Sequence, residues 1–129
     1  MEMELARANG FRVRPGHAQH GEHALVECPN GWQASVVRGA HTYGGAPWLF
    51  ELAVFRPDAA IARGAEALCY DTPITSSMIG YLSESDVVRV LRLIAELPPW
   101  EDPVTPPSKE AYDAFAKAHA EELEWLNGR

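Results

Sequence analysis

Three histidines at three-residue spacing, His17, His20 and His23, offer the most direct chemistry in this chain. Imidazole ligates Zn²⁺ and Ni²⁺ well, and His41 or a cysteine would complete a tetrahedral set. The spacing matches none of the recognised zinc signatures. An i, i+3, i+6 set in a glycine-containing loop converges on one ion only if the loop folds for it. A solvated His-rich loop is therefore the expectation, with no cofactor, and His17, His20 and His23 stand as the metal-site alternative.

The other candidates are single residues. His119 sits in the middle of an apolar helical stripe and reads as a core or interface histidine. Cys69, beside Tyr70 and Asp71, would be a nucleophile only if a distant histidine activated it. Burial in a strand leaves such a thiol inert. Cys28 and Cys69 lack Cys-x-x-Cys spacing, so both read as buried free thiols. The Tyr43-Gly44-Gly45 stretch lacks the Lys-Ser/Thr end of a phosphate loop and opens no helix. It reads as a tight loop whose Tyr43, with His41, forms a contact patch. Asp71-Thr72-Pro73 reads as a structural turn. Pro103 and Pro106 have P-x-x-P spacing but no flanking basic residues. No residue is assigned to catalysis, and the chain is expected not to be an enzyme.

Bulk properties narrow the classes further. A chain of 129 residues with 47% hydrophobic and 22% charged residues builds one domain with a single core. The net charge of −7 argues against nucleic-acid binding, which needs clustered Lys and Arg. It suits solubility or docking onto a basic protein. No apolar run approaches the ~20 residues of a membrane span. The acidic N-terminus, Met1-Glu2-Met3-Glu4, lacks signal-peptide order, so a cytoplasmic location is expected.

The elements that must position these residues follow from periodicity. Phe11–Arg14, Ala24–Cys28 and Trp32–Val37 alternate as strands, and Asn30-Gly31 between the last two is a strong hairpin signal. Trp32, Ala34 and Val36 share one face; Gln33 and Ser35 share the other, which is expected to be wet. Trp48–Phe55 is apolar on both faces except at Glu51 and reads as a central strand. Glu66–Tyr70 reads as the last strand, paired antiparallel with it. Ser83 or Ser85 caps a helix over 84–97 with Val87, Val90, Leu91, Ile94 and Leu97 on its buried stripe. Five prolines between Pro98 and Pro107 make a semi-rigid tether, and Ser108 caps a final helix over 109–126. The expected architecture is a single α+β domain, residues 1–129. An antiparallel sheet of about four strands, roughly 11–72, is packed by two C-terminal helices.

Two segments carry a resemblance. Tyr43-Gly44-Gly45 leads into Leu49-Phe50-Glu51-Leu52-Ala53-Val54, and Leu68-Cys69-Tyr70-Asp71-Thr72-Pro73-Ile74-Thr75 leads into Gly80-Tyr81-Leu82-Ser83-Glu84-Ser85-Asp86-Val87. Together they resemble a group of small proteins encoded by bacteriophages and prophages, over roughly residues 40–97. The resemblance implies a provenance, and no catalytic residues come with it. The resulting expectation is a small non-enzymatic phage accessory protein that binds a host or phage protein, for instance to inhibit a host defence system as anti-CRISPR proteins do. A metal- or small-ligand-binding domain using the His loop, and a toxin-immunity protein, are the alternatives. The expected partner-binding residues are His41, Tyr43, Gly44, Gly45, Trp100 and Trp125, the two tryptophans being the best exposed aromatic anchors.

Overall fold

A computed structural model of the protein describes residues 1–16, 21–39 and 48–129. Among these, the elements run α1 (Glu4–Ala8), β1 (Arg12–Pro15), β2 (Glu22–Glu27), β3 (Gln33–Arg38), β4 (Phe50–Phe55), α2 (Asp58–Ala62), β5 (Ile79–Leu82), α3 (Glu84–Ile94), α4 (Lys109–Ala118) and α5 (Ala120–Asn127). The fold is α+β. The strands form one antiparallel sheet whose spatial order is the chain order, β1-β2-β3-β4-β5.

Strand register sorts the side chains onto two faces. Val26, Ala34 and Val54 lie opposite one another, as do Ala24, Val36 and Leu52, and all six are buried. Helix α3 covers this inner face with Val87, Val90, Leu91 and Ile94. Its start is a capping box: Asp86 N–H donates to Ser83 Oγ at 3.1 Å, and Ser83 N–H to Asp86 Oδ2 at 3.3 Å.

The end of α3 is held by the β2–β3 turn. Gly31 takes φ 91, a conformation glycine adopts at no steric cost. That turn aims Asn30 Nδ2 at the carbonyls of Ile94 and Leu97, both at 2.9 Å. Trp32 Nε1–H donates to Pro98 O at 2.8 Å from a fully buried ring. The predicted hairpin therefore also caps a helix some 60 residues further on.

The structure differs from the sequence-based expectation at several points. Glu66–Tyr70 is not a strand: it touches β4 through one bridge, Leu68 to Phe55, with Cys69 N–H donating to Val54 O. The place beside Phe50–Leu52 is taken instead by β5, a strand that the sequence pattern does not announce. The free edge of β4 is thus shared by two short segments. Its side nearest the sheet end carries a register shift between Phe50 and Leu52.

The final helix also divides, into α4 and α5 at His119, where φ is −117 and ψ is 26. Its ring packs back on Phe115 at 4.7 Å, and the bend lets Phe115, Leu123 and Leu126 all reach the same core. Lastly, Gln33 and Ser35 are buried rather than wet. Helix α1, too short to show a period, closes the other side of α3; its Leu5 N–H donates to Glu84 Oε1 at 2.9 Å. Beyond α5, Arg129 reaches across to β5 and donates to the carbonyls of Gly80 and Tyr81.

Candidate binding face

The outer face of the sheet, opposite α3, is where polar side chains converge. Its rows are His23–Val37–Glu51, then Arg14–Leu25–Ser35–Ala53, then Arg12–Glu27–Gln33–Phe55. At one end Gln33 is fully buried: its amide donates to Arg56 O and to Asp58 Oδ1, each at 3.0 Å, and its oxygen accepts from Arg14. Arg14 also pairs with Asp58 at 2.9 Å. This network pins the start of α2 onto the sheet, which is why a polar residue can sit at a buried position.

Midway along the face lies a cavity of about 230 Å³, lined by Ser35, Val37, Glu51, Ala53, Phe55, Ala67, Leu68 and Met78. Ser35 and Glu51 are its polar residues and both are buried. His23 Nε2 lies 2.7 Å from Ser35 Oγ. So His23, expected in the His loop, belongs to β2 and bonds a neighbouring strand. His17, His20, His41, Tyr43, Gly44 and Gly45 lie outside the described residues. Among the described residues, no group of three or more His, Cys, Asp or Glu side chains is arranged to hold a metal ion.

At the β4–β5 corner stand two exposed aromatic residues, and the Arg38 and Phe50 contacts set Trp48 towards the α3 side of the sheet. Trp48 is 54% exposed and Tyr81 59%. Both have left-handed backbone, φ 64 and φ 59, which is unusual for bulky side chains. Trp48 is steadied by Arg38, whose guanidinium lies 4.8 Å from its ring and 4.7 Å from that of Phe50 while pairing with Glu22 at 2.9 Å. Tyr81 sits in the shifted stretch opposite Glu51, and Met78, just before β5, is exposed as well.

The two tryptophans expected as exposed anchors are half-buried instead. Trp100 packs edge-on against Trp32 at 6.4 Å, and Trp125 lies 3.8 Å beneath the Arg89 guanidinium. The tether and last helix fold back on the core and take both rings with them. Sequence reasoning missed Trp48 and Tyr81 because it placed the first inside a central strand and gave the second no exposed role. The available signals were Pro47 before Trp48 and Gly80 before Tyr81, which mark irregular backbone.

The remaining chemistry is quiet. Burial, then the Glu27 carboxylate, pushes the Cys28 thiol up to about 12. Burial likewise raises Cys69, outweighing the lowering effects of the Asp71 backbone N–H and Arg56. A cavity of about 310 Å³ adjoins Cys69 with Arg56, Asp71, Trp100 and Tyr112 on its walls. Arg56 is already committed there: it donates to the carbonyls of Glu66 and Leu68 and pairs with Asp71 at 3.2 Å. Burial raises Tyr112 to about 12, so its hydroxyl stays protonated. Accordingly, a thiol reagent at pH 8 should label neither cysteine in the folded protein and both in urea. Rapid labelling of either native thiol, followed by mass spectrometry, would contradict this assignment.

A wider groove of about 820 Å³ runs between α1, α3 and α5. Both of its arginines are engaged within the protein: Arg89 grips Glu122 through two contacts of 2.8 Å, and Arg92 donates to Asn9. The guanidinium contact holds the Glu122 carboxyl below its ordinary range.

No family model, curated protein or solved structure matches the chain. Among the described residues, no helix is long and apolar enough to cross a membrane.

Proposed function

We propose that the protein is a non-enzymatic binding module that docks a basic partner protein at the β4–β5 corner. One observation carries this reading: Trp48 and Tyr81 are both exposed and both held in left-handed backbone. Such a conformation costs about 1–3 kcal/mol per residue and persists only where the surrounding fold enforces it. Tryptophan and tyrosine are the residue types that anchor protein interfaces. The net charge of −7 favours a basic protein over nucleic acid and speeds encounter with it. Protonated, buried thiols support binding over nucleophilic catalysis. The resemblance to phage-encoded proteins supports an accessory factor acting on a host or phage protein in the host cytoplasm. Inhibition of a host defence system is its most specific form.

Capture experiments with the tagged protein test this. A stoichiometric partner should bind at low salt, weaken as salt rises, and lose about 30-fold in affinity on Trp48→Ala. Tyr81→Gly should behave differently from an ordinary structural lesion. It removes the left-handed strain, so stability should hold or rise by up to about 1 kcal/mol while binding falls. Absence of any stoichiometric partner, or capture indifferent to both substitutions and to salt, would overturn the reading.

A further inference from the structure

We infer that Arg129 is a positioning residue for the docking surface, a latch that holds Tyr81 in the conformation the partner meets. The inference rests on the docking reading above and adds the control of one of its two aromatic residues. Three observations lead to it. The first is a mismatch in the sheet. Strands β4 and β5 pair at Phe50–Leu82 and at Leu52–Ile79, so Glu51 alone faces both Gly80 and Tyr81. A bulge of this kind leaves its extra residue out of the ladder, and its carbonyls take their donors from outside it. Arg129 supplies them, Nη1 donating to Gly80 O at 3.2 Å and Nη2 to Tyr81 O at 2.8 Å.

The second is stereochemistry. Successive carbonyls of an extended strand point to opposite sides, whereas those of a helical turn of either hand point the same way. Tyr81, at φ 59, is left-handed, and its carbonyl and that of Gly80 meet one guanidinium. The planar fork of arginine suits two acceptors held in this way. Were Tyr81 to relax to extended backbone, which a residue with a Cβ favours, the carbonyls would part and the fork would lose one of them. Arg129 therefore binds the left-handed form better than the extended one, and that difference sets the population.

The third is how Arg129 is itself held. Its guanidinium lies 5.8 Å from the centroid of the half-buried Trp125 ring, within cation–π range. The same ring lies 3.8 Å from the Arg89 guanidinium, which Glu122 fixes through two contacts of 2.8 Å. Arg89 belongs to α3, and Glu122 and Trp125 to α5, so the latch is mounted on the packing of these two helices. A ring presented from a fixed backbone loses less freedom on docking, which is why the latch bears on affinity.

Isotope-labelled protein alone gives the first readout, the three-bond coupling between the amide and α protons of Tyr81. This coupling is smaller in left-handed than in extended backbone. Arg129→Ala should raise it, and Arg129→Lys should raise it less, since lysine keeps the charge but lacks the fork. Partner captured by the wild-type protein gives the second readout. Its affinity for Arg129→Ala should fall by the same factor as the left-handed population, about fivefold at most, the range of an exposed charged contact. In a Tyr81→Gly background Arg129→Ala should bring no further loss, because a residue that acts through Tyr81 has nothing left to position. An unchanged coupling in Arg129→Ala overturns the latch and leaves the docking reading standing, which Trp48→Ala tests separately. An equal loss of affinity in the Tyr81→Gly background also overturns it, by making Arg129 a direct contact. So does relaxation of Tyr81 with affinity unchanged. The coupling needs no partner, so failure of the docking reading leaves the hold of Arg129 on Tyr81 measurable by itself.

Discussion

Trp32→Ala is expected to cost about 3–5 kcal/mol of stability, the range for removing a large aromatic from a core. Trp32 is the largest fully buried side chain, it packs against Trp100 at 6.4 Å, and its N–H satisfies the Pro98 carbonyl just beyond α3. Natural domains of this size have about 5–15 kcal/mol in hand, so the variant should be marginal or unfolded at 37 °C. Trp32→Phe separates the two contributions. It keeps most of the packing and loses a half-buried hydrogen bond to Pro98 O, at a cost of about 1 kcal/mol. Urea unfolding followed by circular dichroism measures both. A loss below about 1.5 kcal/mol for Trp32→Ala would mean that the tether does not depend on this ring.

Asn30→Ala should cost about 2 kcal/mol. One side-chain amide holds both the Ile94 and Leu97 carbonyls at the C-terminus of α3; its removal takes the side-chain donor from Leu97 O and leaves Ile94 O with the Leu97 N–H alone. Asn30→Asp should be worse at neutral pH, because the new carboxylate faces carbonyl oxygens and offers no donor. Amide hydrogen exchange in the last turn of α3 reads the local effect: protection should fall there before it falls in β3 or β4. Combined with Trp32→Phe, the loss should not be additive, since both side chains brace the same helix end. Additive costs would show that the turn and the ring act separately.

Much of the fold was legible because its governing signals are local. Asn30-Gly31 between alternating runs specified a hairpin, and Ser83 or Ser85 ahead of an apolar stripe specified a helix start, which falls at Ser83. What was not legible depended on competition between segments. Glu66–Tyr70 has strand composition, but β4 has one free edge, and Ile79–Leu82 occupies most of it. No window of sequence records that contest. The split at His119 is similar: the stripe from Tyr112 to Leu126 is continuous as a pattern, and only the shape of the core bends it.

The candidate site was less visible for a related reason. Trp100 and Trp125 lie in segments that read as exposed, and tertiary packing covered both. Trp48 lies in a segment that read as a central strand and Tyr81 in one given no element of its own, and both take left-handed backbone at the surface. In the buried polar floor of the outer face, Gln33 and Ser35 came from a strand whose alternation indicated a wet side, and Glu51 was the one polar residue of a strand read as apolar on both faces. Polar residues were correctly placed together. Their covering by α2 and the 65–78 segment was a long-range event.

The reach of Arg129 to the Gly80 and Tyr81 carbonyls bears on how copies of this chain meet one another. An open sheet edge invites a second strand, and growth by such pairing is a route to aggregates. Here the β5 border is occupied by a guanidinium, while the β1 border carries Arg12, Arg14 and a proline that has no N–H to offer. Both borders are thus poor templates for strand addition. Any neighbour must engage side chains on the faces and corners, where sequence identity matters, rather than a backbone that every polypeptide shares.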